Sequence, residues 1–179
     1  MRRTAYTVGH STHELQAFVA LLRGAGVGGI ADVRRWPRSR RHPQFDDDAL
    51  AVELPLRGIA YDHLPALGGR RRPVPGSPND GWQQEAFRGY ADHMATREFA
   101  AGLERLEELC AARPTAAMCA EAPWWRCHRR LVADALLARG WDVLHLAPGG
   151  RAARHELPEF AVVADGLVTY PAAQLRLGG

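Results

Sequence analysis

The chain has 179 residues, 46% of them apolar, with a formal charge of +3 and a pI near 9.1. That is enough to bury a core without disulfides or a structural metal, and it excludes a disordered chain. All 23 basic residues are arginine, which excludes a Schiff-base lysine and a phosphate-loop lysine.

A GC-rich genome would produce the arginine bias by itself, so the basic balance does not on its own point to nucleic acid. No run approaches the roughly 18 apolar residues of a membrane span, and no signal peptide is expected ahead of the first motif. Three cysteines at irregular spacing make no disulfide framework. The expectation is one domain over residues 1–179 in a reducing cytoplasm, with no membrane partner.

Ala5 to Val8 is a short apolar run ended by Gly9, a first strand. Ser11-Thr12-His13-Glu14 has the form of a capping box, Ser11 accepting from the Glu14 amide and Glu14 from the Ser11 amide. Leu15, Phe18, Val19 and Leu22 follow at helical spacing, and Gly24 or Gly26 ends that helix. Residues 29–33 read as a second strand and 58–64 as a third. RRRPVPGSPND (70–80) is a Pro- and Gly-rich loop. Residues 82–94 look helical, and a further helix starts with Thr96 as N-cap, carrying Phe99, Leu103, Leu106 and Cys110 on one face. Residues 115–120 form a small apolar strand, 126–139 a helix closed by Gly140, and 142–146 a fifth strand. AVVADGLVTY (161–170) reads as a hairpin around Asp165-Gly166. Alternating strands and helices predict a mainly parallel sheet with helices on both faces, a Rossmann-like three-layer α/β fold with a small C-terminal hairpin.

In open α/β sheets, ligands bind outside the carboxyl ends of the strands. Four polar clusters follow strands here: Gly9-His10-Ser11; DVRRWPRSRR (32–41); Arg70 to Arg72; and Glu121 with RCHRR (126–130). All four belong to one rim, where helix N-termini also favour anions. The combination predicts a pocket for a phosphate, sulfate or carboxylate, against the plainer reading that arginines populate surface loops.

The stretch MCAEAPWWRCHRR (118–130) concentrates the reactive residues. Cys127 falls at the start of a helix beside basic groups, where a thiol pKa is lowered, and is the candidate nucleophile or redox group. Cys119 at a buried strand end is either core or a supporting thiol, and Glu121 or His10 is the acid/base candidate. Cys127, His128 and Arg129 are consecutive, so on a helix they cannot all face one pocket. A tyrosine-phosphatase loop fails on spacing, with six residues between Cys119 and Arg126. Seven residues separate Cys119 from Cys127, so a disulfide would need the loop to fold back. A metal site at Cys119, Glu121, Cys127 and His128 matches no common zinc spacing, and no cofactor is indicated. Ser11, Asp32, Arg34, Ser39, His128 and Arg129 are candidate substrate-binding residues. A non-catalytic nucleic-acid or nucleotide module would use the same arginines with Trp36, Trp124 and Trp125 as stacking surfaces.

These motifs resemble the domain-of-unknown-function 488 family. The resemblance runs through TVGHST (7–12), DVRRWPRSRR (32–41), GIAYDHLPALGG (58–69), FRGYADHM (87–94), MCAE (118–121), CHRRLVADAL (127–136) and DGLVTYP (165–171). It implies a bacterial or archaeal cytosolic α/β protein and brings no reaction with it. Its signature residues, His10, Ser11, Asp32, Arg34, Pro37, Ser39, Cys119, Glu121, Cys127, His128 and Arg129, fall on the rim that the strand ends select. The expected function is therefore an enzyme acting on a phosphate- or other anion-bearing substrate, nucleotide-like in chemistry.

Overall fold

The computed structural model describes residues 3–172. Five strands run parallel: β1 (Thr4–Gly9), β2 (Gly29–Asp32), β3 (Ala60–His63), β4 (Thr115–Cys119) and β5 (Asp142–Ala147). A sixth, β6 (Arg151–Arg154), returns antiparallel along β5, giving the order β3-β2-β4-β1-β5-β6. Side chains alternate across the sheet and sort the core into two layers. Val8, Ile30, Ala116 and Met118 pack with α1 (Leu15–Gly24) and α2 (Asp47–Glu53). Ala5, Ala31, Ala117, Cys119 and Val143 pack with α3 (Glu85–His93), α4 (Arg97–Ala112) and α5 (Arg129–Ala138). β4, TAAMC, is buried at every position because both faces are covered. The expected three-layer architecture is present, and so is the hairpin. It pairs β7 (Val162–Ala164) with β8 (Leu167–Thr169) through Asp165 and Gly166, at φ 51° and 75°. Among the described residues no helix is long and apolar enough to cross a membrane.

The structure departs from the sequence reading at particular elements. Ser11 does not cap α1. It sits at φ 48° and gives its amide to the Ala120 carbonyl at 3.0 Å, so the chain turns left-handed there. The helix starts only at Leu15, with Glu14 in the cap position and no side-chain cap. Thr96 does cap α4, accepting from the Phe99 amide at 3.2 Å. α3 begins at Glu85 rather than at residue 82. α5 begins at Arg129 rather than at residue 126, because Trp124–Arg126 forms a separate 3₁₀ turn and Cys127 is extended between the two. Two elements have no counterpart in the sequence reading. α2 is seven residues long, too short to show periodicity beyond Leu50 and Leu54. β6 is exposed along its length and lacks apolar alternation, although Gly149-Gly150, both at positive φ, marks its turn. The loop at 70–80 is tied down by Asp92, which accepts from the Val74 amide (2.9 Å), Ser77 Oγ (2.6 Å) and Asn79 Nδ2 (2.7 Å).

The connectivity places the site. From β1 the chain crosses to α1 in one layer; from β4 it crosses to α5 in the other. β1 and β4 are neighbours, so the two connections part at their carboxyl ends and leave a crevice. Gly9 keeps it tight. A Cβ at position 9 would lie 1.9 Å from the Glu121 carbonyl oxygen, so only glycine lets the loop after β4 lie across the end of β1.

Candidate functional site

A cleft of about 920 Å³ opens at these strand ends. His10, Ser11, Arg34, Ser39, Cys119, Glu121, Cys127 and His128 all line it. Asp32 and Arg129 do not; they are buried behind it. The wall also carries Arg35, Arg38, Arg41, Arg70 and Arg126, so six arginines face one carboxylate, Glu121. His42 and Gly69, which the sequence reading passed over, line it too.

Asp32 at the end of β2 fixes the first cation. Its Oδ1 accepts from Arg34 Nε at 2.8 Å and its Oδ2 from Arg34 Nη2 at 2.6 Å, a two-pronged ion pair in which Arg34 is 7% exposed. Tyr61 Oη donates to the same Oδ2 at 2.7 Å, and Arg34 Nη2 also reaches the Phe45 carbonyl at 2.7 Å. Arg34 Nη1 then donates to His10 Nε2 at 3.2 Å, and His10 Nδ1 donates to the Ser11 carbonyl at 2.9 Å. Both nitrogens of His10 are thus engaged, and its ring stacks on Phe45 at 4.4 Å. Asp32, Arg34 and His10 form a rigid wall. Ser39 plays a similar part, its amide on Asp46 Oδ1 at 2.7 Å and its Oγ accepting from the His42 amide at 3.2 Å.

The thiols occupy the floor. The loop between β4 and α5 does fold back, and the Cys119 and Cys127 thiols are hydrogen-bonded across 2.9 Å. The loop is held by Arg129, whose Nη2 donates to the Glu121 and Ala122 carbonyls at 2.8 and 3.1 Å. It is held again by Trp124, stacked on His145 at 4.1 Å. Cys127 Sγ is 3.4 Å from His128 Nδ1. The other ring nitrogen, Nε2, donates to the Val33 carbonyl at 2.9 Å, which leaves the Nδ1 lone pair facing the thiol. A Cβ at position 69 would approach Nδ1 to 2.8 Å, so Gly69 leaves room for the ring. The hydrogen bond from Cys119 holds the Cys127 thiol below its ordinary pKa, and the Arg129 amide and guanidinium add to it against the cost of burial. Burial, with Cys127 next to it, pushes Cys119 far up. Cys110, on α4 and away from the cleft, is pushed up to about 12 by burial.

Trp36 is 60% exposed at the mouth, with the Arg35 and Arg70 guanidinium groups 4.7 and 5.8 Å from its ring centre. Arg38 is paired with Asp47 and Asp48, whereas Arg35, Arg41, Arg70 and Arg126 make no salt bridge among the described residues, the Arg35 charge acting on Glu98 only from a distance. Among those residues no group of three or more His, Cys, Asp or Glu side chains is placed to hold a metal ion. Behind the loop runs a buried chain of hydrogen bonds that no sequence spacing announced. Thr7 Oγ1 donates to His145 Nδ1 (2.6 Å), His145 Nε2 to His155 Nδ1 (2.8 Å), and His155 Nε2 to Asp134 Oδ1 (2.7 Å). Tyr170 Oη donates to Asp134 Oδ2 at 2.6 Å.

With this geometry in place, the family can be stated. A family model, the domain of unknown function DUF488, matches residues 14–136. The chain belongs to that family. No curated protein and no solved structure matches it. The DUF488 match takes in β2, β3, β4 and most of α5, and hence Cys119, Cys127, His128 and the Asp32–Arg34 pair. His10 and Ser11 lie just ahead of it.

The histidines of this DUF488 protein set its behaviour in acid. Burial, with the Arg34 charge beside it, lowers His10 from 6.5 to about 4; burial and His155 lower His145 to about 2. Burial also lowers His93 and His128. Each is neutral when folded, while an unfolded histidine takes up a proton near pH 6.5. Stability is therefore complete above about pH 6.5 and falls as the pH drops from there towards about 4. Urea midpoints measured across that window at constant salt should decline steadily, and His10→Gln should flatten the decline. A flat profile would contradict the neutral, buried assignment.

Proposed function

We propose that this DUF488 protein is an enzyme that binds an anionic, phosphate-bearing substrate in the arginine-lined cleft and attacks it with the Cys127 thiolate. The observation that carries this reading is the position of Cys127, beside a histidine lone pair and a second thiol, on the floor of a cleft walled by cations. Arg35, Arg41, Arg70 and Arg126 meet the anion. Arg34 is already saturated by Asp32 and holds His10, and Arg129 acts on the thiol from behind. His128 Nδ1 takes the proton of Cys127, and the Sγ thiolate bonds to the substrate as the bond to the leaving group breaks, the leaving group carrying off that electron pair. Glu121, exposed at the rim, is the remaining candidate to protonate a leaving group.

The test is the pH profile of iodoacetamide labelling at each cysteine, read by mass spectrometry on native protein. Cys127 should label with an apparent pKa below the ordinary thiol value of about 8.5, with Cys110 and Cys119 silent until unfolding. Inorganic pyrophosphate should protect Cys127, and added salt should remove the protection. Labelling of Cys127 only at or above the ordinary pKa, or no protection by the anion, would sink the reading.

One observation favours a second reading, a non-catalytic nucleic-acid or nucleotide module. Trp36, exposed between two guanidinium groups, is a surface on which a base can stack. Such a module would bind single-stranded oligonucleotide with steep salt dependence, unaffected by Cys127→Ala, and Trp36→Ala would cost about 1–3 kcal/mol.

A further inference from the structure

We propose that Cys119 and Cys127 form a thiol–disulfide couple in this cleft, and that the disulfide they exchange with is an anionic one of low molecular weight. The proposal deepens the nucleophile reading and rests on it for its first step.

The two sulfurs stand 2.9 Å apart, so closing to a disulfide bond of about 2.05 Å asks for roughly 0.9 Å of movement. Residues eight apart in sequence meet because the intervening loop folds back, with Arg129 on the Glu121 and Ala122 carbonyls and Trp124 against His145 pinning it. That pinning is not needed to make β4 or α5, each of which has its own packing.

The pair is also asymmetric in the way exchange requires. Cys127 is the sulfur with the histidine lone pair and the arginine charge next to it, which makes it the attacking thiolate. Cys119, 1% exposed, lies behind it, placed to attack Cys127 rather than an outside molecule. Arg35, Arg41, Arg70 and Arg126, which make no salt bridge among the described residues, select for a disulfide bearing carboxylates or phosphates.

The exchange balances as follows. Cys127 gives its proton to His128 Nδ1, and its Sγ⁻ attacks one sulfur of RS–SR, forming a mixed disulfide and releasing RS⁻, which takes that proton back from His128. Cys119 then attacks Cys127 Sγ, breaking its bond to the second sulfur, and the RS⁻ expelled takes the proton that Cys119 loses. The sum is a protein dithiol and RSSR converted into a protein disulfide and two RSH. The dithiol is oxidised, the small disulfide is reduced, and a reducing dithiol reverses the change.

The experiment uses the full chain, with glutathione disulfide as the anionic probe and cystamine as the cationic one, followed by mass spectrometry under non-reducing conditions. Glutathione disulfide should leave the protein lighter by two hydrogens, with a linked Cys119–Cys127 peptide, no lasting glutathione adduct, and Cys110 untouched. It should react at least about 10-fold faster than cystamine at low salt, the advantage shrinking as salt is raised. Cys119→Ser should instead trap a glutathione adduct on Cys127, and dithiothreitol should remove both products. A lasting adduct on Cys127 of the unaltered protein, or cystamine reacting as fast, would overturn the proposal. So would the absence of any disulfide product while iodoacetamide still labels Cys127 rapidly, an outcome that leaves the nucleophile reading standing. Failure of iodoacetamide to label Cys127 at all would remove the nucleophile reading itself, and the couple with it.

Discussion

Asp32→Asn will lower the free energy of unfolding by about 3–5 kcal/mol, the range expected when one member of a buried ion pair is removed. Arg34 is 7% exposed and Asp32 wholly buried, and both carboxylate oxygens are spent on the Arg34 fork. The substitution leaves the largely buried guanidinium with no counter-charge. Tyr61 Oη loses the strength of a charged acceptor at the same time. Because Arg34 Nη1 also orients His10 Nε2, the wall of the cleft shifts with the loss of stability.

The comparison that isolates the cause is the double replacement Asp32→Leu with Arg34→Met, which removes both charges. It should recover most of the loss, since an apolar pair of similar volume replaces a buried ion pair at little cost. Urea unfolding midpoints of the two variants decide it. Equal destabilisation in both would mean that packing at the end of β2, and not the charge, is what Asp32 supplies.

The ion pair marks how far the sequence could be read. Asp32 and Arg34 were legible as site residues because they follow a strand that carries an arginine run. That they bind each other depends on side-chain directions that spacing does not specify. The same holds for Cys119 and Cys127. Seven intervening residues argued against a pair, and only the fold-back of the loop joins them.

The architecture was more accessible, because period and strand alternation are local properties of the chain. Strands β1 to β5, helices α1, α3, α4 and α5 and the Asp165-Gly166 hairpin were all read, with ends off by a few residues. The failures share a cause. Ser11 looked like a cap, yet its amide is taken by the Ala120 carbonyl of a different strand connection, so a long-range bond overrode a local motif. The chain Thr7–His145–His155–Asp134 was invisible because its members come from β1, β5, the segment after β6 and α5, and no spacing relates them. The expectation that Cys127, His128 and Arg129 could not all face one pocket meets a different backbone from the helix it assumed, since α5 begins only at Arg129 and Cys127 is extended. Cys127 and His128 line the cleft and Arg129 turns away into the core.

Arg129 itself gives the sharpest separation of fold from chemistry. Its side chain is fully buried, Nη2 holds the Glu121 and Ala122 carbonyls, and neither Nε nor Nη1 has a hydrogen-bond partner among the described residues. A dry guanidinium with two unpaired nitrogens is a burden on the folded state, since its desolvation is only partly offset. A fold under selection for stability alone would place an apolar side chain there. The group that gains from the charge is Cys127, whose thiolate it favours together with Cys119 and the Arg129 amide. Arg129→Met should therefore leave the urea midpoint within about 1 kcal/mol of the parent, or raise it. The same variant should slow iodoacetamide labelling of Cys127 at neutral pH about 10-fold for each unit by which the thiol pKa rises. Arg129→Lys, which keeps the charge but loses the fork, should retain most of the reactivity. A large loss of stability in Arg129→Met with the Cys127 labelling profile unmoved would show the opposite, that the arginine is there to pin the loop and the thiol owes it nothing.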